Sequence, residues 1–205
     1  LGLPEHGVLL LCAQSPFKWT PAFTRSVAAV LAGAPATRLI VFDSPDAARS
    51  RVFDRYLAQH FLPFDVNTAD RVIRLPQRGR RDFLATLAHS DLALDSFGFS
   101  GGNTSLDAFS VGLPVLTLPG PFMRGRQTMA MLQTLGAVPS AALIARDASD
   151  YVLRAVALAG DDAARQALRE QITASRAALF DDPAPVAALR HWLLVATGRR
   201  QSRKH

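Results

Sequence analysis

Short apolar runs alternate with longer amphipathic segments along most of the chain. Runs of aliphatic residues bounded by polar or glycine positions predict buried strands, and apolar residues spaced three and four apart predict helices. The predicted strands cover residues 8–12, 38–42, 71–75, 92–94 and 115–118, with a short sixth strand at 142–144. The predicted helices cover residues 21–31, 47–60, 80–89, 104–111, 126–135, 149–158, 161–179 and 185–196.

Strand and helix alternate at spacings that suit crossover connections between parallel strands. Because the strands are apolar on both faces, we expect a parallel sheet covered by helices on both sides. The pattern predicts an α/β fold with a Rossmann-like doubly wound parallel sheet, followed by a mainly helical segment over residues 146–198. We predict one domain over residues 1–198 and a basic disordered tail over residues 199–205.

The composition is that of an ordinary globular protein, with 49% hydrophobic and 20% charged residues, and excludes a disordered chain. No apolar run reaches the roughly 18 residues that a membrane helix needs, so no membrane span is expected. A single cysteine, Cys12, excludes an intramolecular disulfide and a cysteine-rich zinc site. The start of the chain carries neither a signal peptide nor a methionine, so we expect a cytoplasmic location and a piece of a longer protein.

The net charge of +6 is concentrated at the C-terminus. Four of the 23 basic residues lie within residues 199–204, and without them 19 basic residues face 17 acidic ones. A folded body with so little excess charge argues against a nucleic-acid binder. Lysine is rare in this chain, so Lys18, which lies in an otherwise uncharged stretch, is a candidate functional residue.

The densest signal of a binding site is the segment that follows the fourth strand and opens the next helix. Ligands of open parallel sheets lie outside the carboxyl ends of the strands, and free amides at a helix N-terminus favour anions. Asp107 lies one turn further along the same helix face, where a carboxylate suits ribose hydroxyls. The alternative is a glycine turn in which Ser100 or Asn103 caps the helix and Asp107 complements its dipole. The candidate binding residues in this segment are Gly101, Gly102, Asn103, Thr104 and Asp107.

Three other polar loops also follow predicted strands. Lys18 lies after the first strand, where a lysine can neutralise a phosphate oxygen, although a surface lysine beside packed aromatic residues would give the same pattern. Arg124 and Arg126 follow the fifth strand and oppose the dipole of the next helix, which either a bound anion or simple solvation would explain. Arg78 lies in the loop at residues 77–81, after the third strand. We expect all four loops to line the same edge of the sheet.

Other chemistry-bearing residues give weaker signals. The five histidines are scattered without metal-ligand spacing, so no metal site is predicted. No GxGxxG, Walker or nucleophile-elbow motif is present. Asp95 ends a strand and is interpreted as the cap of a turn, and Cys12 as a small core residue.

In their order and spacing, these segments resemble the C-terminal catalytic domain of the O-GlcNAc transferase/SPINDLY-like glycosyltransferases, and above all the bacterial members, which often carry tetratricopeptide repeats. The chain is also similar to the bacterial cytoplasmic glucosyltransferases that modify adhesins. The resemblance runs from residue 3 to residue 181. The segments that carry it are Phe17-Lys18-x-x-Pro21, residues 94–97, residues 101–107, residues 112–120 and Arg126.

The resemblance implies the C-terminal half of a GT-B fold, in which two Rossmann-like domains face each other across a cleft and this half binds the UDP part of a sugar donor. Lys18 would contact the diphosphate as the catalytic residue, and Asp107 would bind the ribose hydroxyls. The loop from Arg78 to Phe83 would border the uracil, and Arg126 would belong to the same binding set. The phosphates would be held by Gly101, Gly102, Asn103 and Thr104.

The resemblance also implies an inverting, metal-independent transferase that moves GlcNAc or another hexose to a protein Ser/Thr or Asn side chain. A UDP-sugar would be the donor substrate, with no resident cofactor. The expected partners are a protein acceptor, an N-terminal GT-B half and tetratricopeptide repeats outside these 205 residues, which alone should be inactive. Two alternatives stay open: a nucleotide-sugar epimerase of the same fold, and a non-catalytic nucleotide-binding or interaction module. The chain departs from animal members at Gly102 and Phe83, where they have histidine.

Overall fold

The computed structural model describes residues 2–4 and 6–198, so the predicted tail at 199–205 lies outside the described residues. The strands are β1 (Val8–Cys12), β2 (Thr37–Phe42), β3 (Val72–Leu75), β4 (Leu92–Leu94) and β5 (Val115–Leu116). The helices are α1 (Pro21–Gly33), α2 (Ala47–Phe61), α3 (Thr68–Arg71), α4 (Arg80–Ala88), α5 (Asn103–Ser110), α6 (Gln127–Leu135), α7 (Ala137–Leu143), α8 (Ala148–Gly160), α9 (Asp162–Ser175) and α10 (Ala184–Ala196).

The strands pair in parallel in the order β3-β2-β1-β4-β5, which confirms the predicted Rossmann-like sheet. The order reverses at β1, whose Leu10 pairs with Leu39 on one side and Leu92 on the other. Successive residues of a strand face opposite sides of a sheet. Four successive residues of β1, from Leu9 to Cys12, are all 5% exposed or less, so helices cover both faces.

Local sequence signals explain how the first crossover helix begins. Thr20 caps α1, and its hydroxyl accepts a hydrogen bond from the Phe23 amide. Pro21 occupies the first helical position, where its missing N–H costs nothing. Helix α1 packs against α2 and α8. Helix α5 packs against α4 and α9. These helices bury the sheet and hold the loops at its carboxyl edge.

The predicted sixth strand is wrong. Residues 137–143 form the helix α7, and only Ile144 bridges to Thr117, in parallel, beyond the end of β5. A short apolar run rich in alanine has no periodicity that separates a strand from a buried helix, so packing decided its structure. The predicted strand at 115–118 is correspondingly shorter in the structure.

The C-terminal region is helical, as predicted, with α8 and α9 packed on the body and α10 at the end. The predicted helix at 161–179 is divided into α9 and a 3₁₀ turn, Arg176–Leu179. In the described ranges no helix combines the length and apolar character needed to cross a membrane. The assignment of residues 1–198 to one domain stays a prediction.

Candidate functional site

The loops after β1 and β4 meet at the carboxyl edge of the sheet, as predicted. Lys18 ends a 3₁₀ turn, Pro16–Lys18, between β1 and α1. Its ammonium donates to the side-chain oxygen of Gln14 at 2.8 Å and to the backbone oxygen of Ser100 at 3.3 Å. The same ammonium lies 4.2 Å from the centre of the Phe99 ring. Residues from two loops more than 80 positions apart therefore fix this lysine.

The electrostatic environment of Lys18 has two opposed contributions. Partial burial lowers the pKa of the ammonium below the ordinary lysine value, because the charged form loses hydration. The negative charge of Asp95 acts in the opposite direction and favours the protonated form. The site thus contains a partly desolvated cation, whose attraction for an anion is stronger than that of a cation in bulk water.

Asp95 shapes the glycine-containing loop from beneath. Its carboxylate is 1% exposed and accepts hydrogen bonds from the Gly101 amide at 2.7 Å and the Thr117 hydroxyl at 2.8 Å. Burial raises its pKa, while these hydrogen bonds act to lower it. Tyr151 donates its hydroxyl proton to the Asp95 backbone oxygen at 3.1 Å. Asp95 therefore joins the two ends of the loop at residues 95–101 and ties it to Thr117, rather than capping a single turn as predicted.

The two glycines at the start of α5 lie in tight surroundings. A Cβ atom on Gly101 would approach the Ser105 hydroxyl to 2.2 Å and the Gln14 and Thr104 side chains to 2.8 Å each. A Cβ on Gly102 would lie 2.9 Å from the Gln127 amide oxygen. A Cβ at Gly101 would therefore displace three side chains, whereas a Cβ at Gly102 would require only a shift of the flexible Gln127 side chain.

Helix α5 begins at Asn103 without a capping side chain. Gly102 occupies the N-cap position, and no side-chain hydrogen bond caps the helix. The backbone oxygen of Gly102 already accepts hydrogen bonds from the Ser105 and Leu106 amides. The alternative in which Ser100 or Asn103 caps the helix is therefore wrong, because Ser100 instead donates to the backbone oxygen of Arg124 at 3.0 Å.

Gln14 links the loops that follow β1 and β4, and no specific sequence signal selects this residue. Its amide nitrogen donates to the Thr104 hydroxyl at 3.0 Å, while its amide oxygen accepts from Lys18. The only local signal was its place in a polar loop directly after a predicted strand. Its role depends on a contact with a residue 90 positions away, which sequence periodicity does not reveal.

Asp107 lies on α5, as predicted, but its carboxylate is paired with a cation. Arg80, the first residue of α4, places two guanidinium nitrogens 2.8 and 3.3 Å from the two carboxylate oxygens. The Asp107 side chain is 14% exposed and the Arg80 side chain 71% exposed. A ribose that binds at Asp107 would therefore share or displace this exposed arginine.

A cleft of about 510 Å³ opens beside Gln14, between the loops that follow β1, β2 and β3. Arg78 and Phe83, the residues predicted to border a base, both line it. The Phe83 ring packs against Phe42 at a centroid distance of 5.4 Å. The other residues that line the cleft are Ala13, Gln14, Ser15, Pro16, Phe17, Phe42, Asp43, Ser44, Pro45, Arg49 and Gln77.

Arg126 lies apart from this cleft, in the loop before α6. Its side chain donates to the Gly120 backbone oxygen at 2.7 Å, which ties the two ends of the loop together. The next residue, Gln127, donates its backbone amide to the Ser100 hydroxyl at 3.0 Å and so joins this loop to the one after β4. Within residues 2–4 and 6–198, no group of three His, Cys, Asp or Glu side chains is arranged to hold a metal ion.

The parallel sheet and its edge of loops define the Rossmann-like half of a GT-B glycosyltransferase. Sucrose-phosphate synthase from Thermosynechococcus elongatus shares this fold, with a TM-score of 0.67 at 18% identity over 95% of this chain and 47% of that one. The chain belongs to glycosyl transferase family 41, whose family model matches residues 1–184.

Relatives within and near this family cover most of the chain. An O-GlcNAc transferase mutant from Thermobaculum terrenum superimposes with a TM-score of 0.80, at 26% identity over 94% of this chain and 36% of that one. Two proteins described as probable UDP-N-acetylglucosamine–peptide N-acetylglucosaminyltransferases are also similar. SEC from Arabidopsis thaliana is 28% identical over 88% of this chain, and SPINDLY from Solanum lycopersicum 27% identical over 77%. The chain spans only 18% and 17% of these two proteins.

Proposed function

We propose that this chain is the UDP-sugar-binding part of an inverting glycosyltransferase that transfers GlcNAc or another hexose to a protein Ser/Thr or Asn side chain. Membership of glycosyl transferase family 41 supports the reaction class. The single observation that carries the proposed site is the convergence of Lys18 and Thr104, through Gln14, at the uncapped N-terminus of α5. A cation, a hydroxyl and helix amides in one place suit a diphosphate.

The proposed arrangement divides the donor between two parts of the carboxyl edge. The diphosphate would lie against Lys18 and the start of α5. The base would enter the cleft beside Phe83 and Arg78, and the ribose would lie between them at Asp107. Arg126 would act on the loop after β5 and reach the donor only from its margin, because it lies outside the cleft lining.

In the proposed reaction the bond between the sugar C1 and the β-phosphate oxygen breaks, and its electron pair leaves with UDP. A bond forms between C1 and the acceptor oxygen or nitrogen from the opposite face, and the acceptor proton passes to a base from outside these 205 residues. Negative charge grows on the diphosphate as the bond breaks. Lys18 and the helix amides would stabilise that charge without a metal ion, an effect that is larger in the transition state than in the bound donor.

The test is a calorimetric titration of the chain with UDP, with and without EDTA. We expect the same dissociation constant in both conditions, and weakening by about 10- to 100-fold in Lys18→Ala, as for loss of a charged hydrogen bond. Asp107→Ala should weaken binding less, because Arg80 then loses its partner but remains close to the nucleotide. Arg38→Ala, which removes an exposed cation on β2, is the matched control and should bind UDP like the parent.

Failure of the parent chain to bind UDP at millimolar concentration would contradict the proposed site. Loss of affinity in EDTA would contradict the metal-free mechanism but not the proposed site. In the longer protein, release of UDP with sugar transfer to a protein supports the transferase. Conversion of one UDP-sugar into its epimer, or binding without any turnover, would favour the two alternatives instead.

A further inference from the structure

We propose that Gln14 is a positioning residue, which directs one proton of Lys18 and the hydroxyl proton of Thr104 toward the same bound diphosphate. This inference rests on the proposed function, since it concerns the same site. Gln14 lies directly after β1, and its side chain reaches across the carboxyl edge to α5. No other described side chain makes hydrogen bonds to both of these groups.

The chemistry of the three groups fixes the orientation of the Gln14 amide. An ammonium has only donors, so the Gln14 atom that faces Lys18 at 2.8 Å must be the amide oxygen. The amide NH₂ group therefore faces the Thr104 hydroxyl at 3.0 Å. Thr104 accepts in this hydrogen bond, so its own proton is not used by Gln14.

The remaining donors of Lys18 are limited in the same way. An ammonium carries three protons. Gln14 takes one and the Ser100 backbone oxygen takes a second. One proton of Lys18 and the hydroxyl proton of Thr104 are therefore not used in these hydrogen bonds. The Gln14 amide, which bonds to both groups, bridges them. An anion that contacts both groups can accept these two protons.

The surrounding backbone is shaped to keep Gln14 in this position. A Cβ atom at Gly101 would come within 2.8 Å of the Gln14 amide nitrogen, so a larger residue there would push the amide away. The Gln14 backbone oxygen accepts from the Trp19 indole nitrogen at 3.4 Å, and the Trp19 ring is buried against Phe23 and Phe53. Both ends of the residue are therefore anchored to the fold.

The bridge predicts different effects for two substitutions. Gln14→Leu removes both hydrogen bonds at similar side-chain length and should weaken UDP binding about 3- to 10-fold, as for a lost neutral hydrogen bond. Gln14→Glu keeps the acceptor for Lys18 but has no donor for Thr104. The Thr104 proton would then turn to the carboxylate, whose charge also repels phosphate, so we expect a loss of at least about tenfold.

The experiment measures the dissociation constants of UDP and of uridine for the parent chain and both variants by NMR titration. Uridine carries no phosphate, so a residue that acts through Lys18 and Thr104 should leave its affinity within about twofold of the parent. Gln133→Glu, on the exposed side of α6, carries the same change of charge and should leave both constants unchanged. In Lys18→Met/Gln14→Leu, the combined loss should be smaller than the product of the two single losses.

Unchanged UDP affinity in both Gln14 variants would overturn the inference and leave the proposed function standing. Parallel losses for UDP and uridine would also overturn it, because they would indicate a general disturbance of the fold. A parent chain that binds no UDP would overturn the proposed function, and this inference with it. If Gln14→Leu fails to fold, Gln14→Met, which is uncharged, of similar length and without either hydrogen-bonding group, takes its place.

Discussion

The two edges of the parallel sheet use their cations differently. At the amino edge, the Arg71 guanidinium donates to three backbone oxygens, those of Leu31, Ala34 and Thr37, at 2.8 to 2.9 Å. At the carboxyl edge, the Lys18 ammonium donates to one backbone oxygen and to the side chain of Gln14. The arginine joins the end of α1 to the start of β2, whereas the lysine lies between the loops that follow β1 and β4.

The difference follows from the polarity of the crossover units. Each helix ends near the amino edge, where its last carbonyls lack partners and attract donors. Arg169 does the same work as Arg71 and donates to the Ser90 backbone oxygen at 2.7 Å, before β4. Each helix begins near the carboxyl edge, where free amides repel cations. Lys18 is held there by Gln14, the Ser100 backbone oxygen and the negative charge of Asp95, and not by a helix end.

The largest expected effect is on the amino edge. Arg71→Met leaves several carbonyls without their donor, so we expect the free energy of unfolding to fall by about 2–3 kcal/mol. The UDP dissociation constant should stay within about twofold where the variant is folded, because the proposed site lies at the other edge. Urea denaturation and a UDP titration measure the two quantities, with Arg38→Met as the control. A loss of UDP affinity without a loss of stability would break the comparison.

An intermediate effect concerns the pH dependence of UDP binding. In the proposed site the ammonium form of Lys18 binds the diphosphate, and burial lowers the pKa of this ammonium below the ordinary value, so affinity should begin to fall at a lower pH than for a solvated lysine. Between pH 7 and 9 the phosphates are already ionised, since their last pKa is about 6. Bound diphosphate raises the lysine pKa, so binding takes up protons.

Calorimetric titrations at pH 9 in two buffers of different ionisation enthalpy measure this proton uptake. Lys18→Met should bind more weakly and lose the uptake that comes from the lysine. Equal uptake in the parent and in Lys18→Met would show that another group titrates, and would remove Lys18 from the diphosphate site.

The smallest expected effect sharpens the contrast with Arg71. Lys18→Met removes a cation that has lost part of its hydration in the folded protein, and this loss disfavours the charged form. Because much of the side chain is solvated and screened, we expect the free energy of unfolding to change by no more than about 0.5 kcal/mol. Urea denaturation measures the change. A destabilisation as large as that of Arg71→Met would indicate that Lys18 is mainly a structural residue.

The sequence correctly predicted a parallel Rossmann-like sheet with polar loops after its strands, because the signals for both lie within short segments of the chain. The first predicted strand, residues 8–12, matches β1, and Thr20 with Pro21 correctly predicted the start of α1. Lys18 was conspicuous because its stretch is otherwise uncharged, and the Gly101–Gly102 pair because it follows a strand. The sixth strand failed because an alanine-rich run fits a helix and a strand equally, and only packing beside β5 selected α7.

Pairings between distant residues could not be read from the sequence. The Gln14 bridge joins residues 90 positions apart, and the Arg80–Asp107 pair joins α4 to α5. Asp95 was identified as a turn cap, but its burial beneath the loop and its contact with Thr117 come from the approach of β5. The roles of Lys18 and the other predicted binding residues toward a ligand stay predictions.

By itself the sequence determined the five strands and most of the helices, because aliphatic periodicity, caps and glycines act within a few residues of the chain. It therefore also determined that the polar loops end at one edge of a parallel sheet. Only the tertiary structure decided which of those polar groups touch. A hydrogen bond depends on distances of a few tenths of an ångström, and these are set by the packing of strands and helices far apart in sequence.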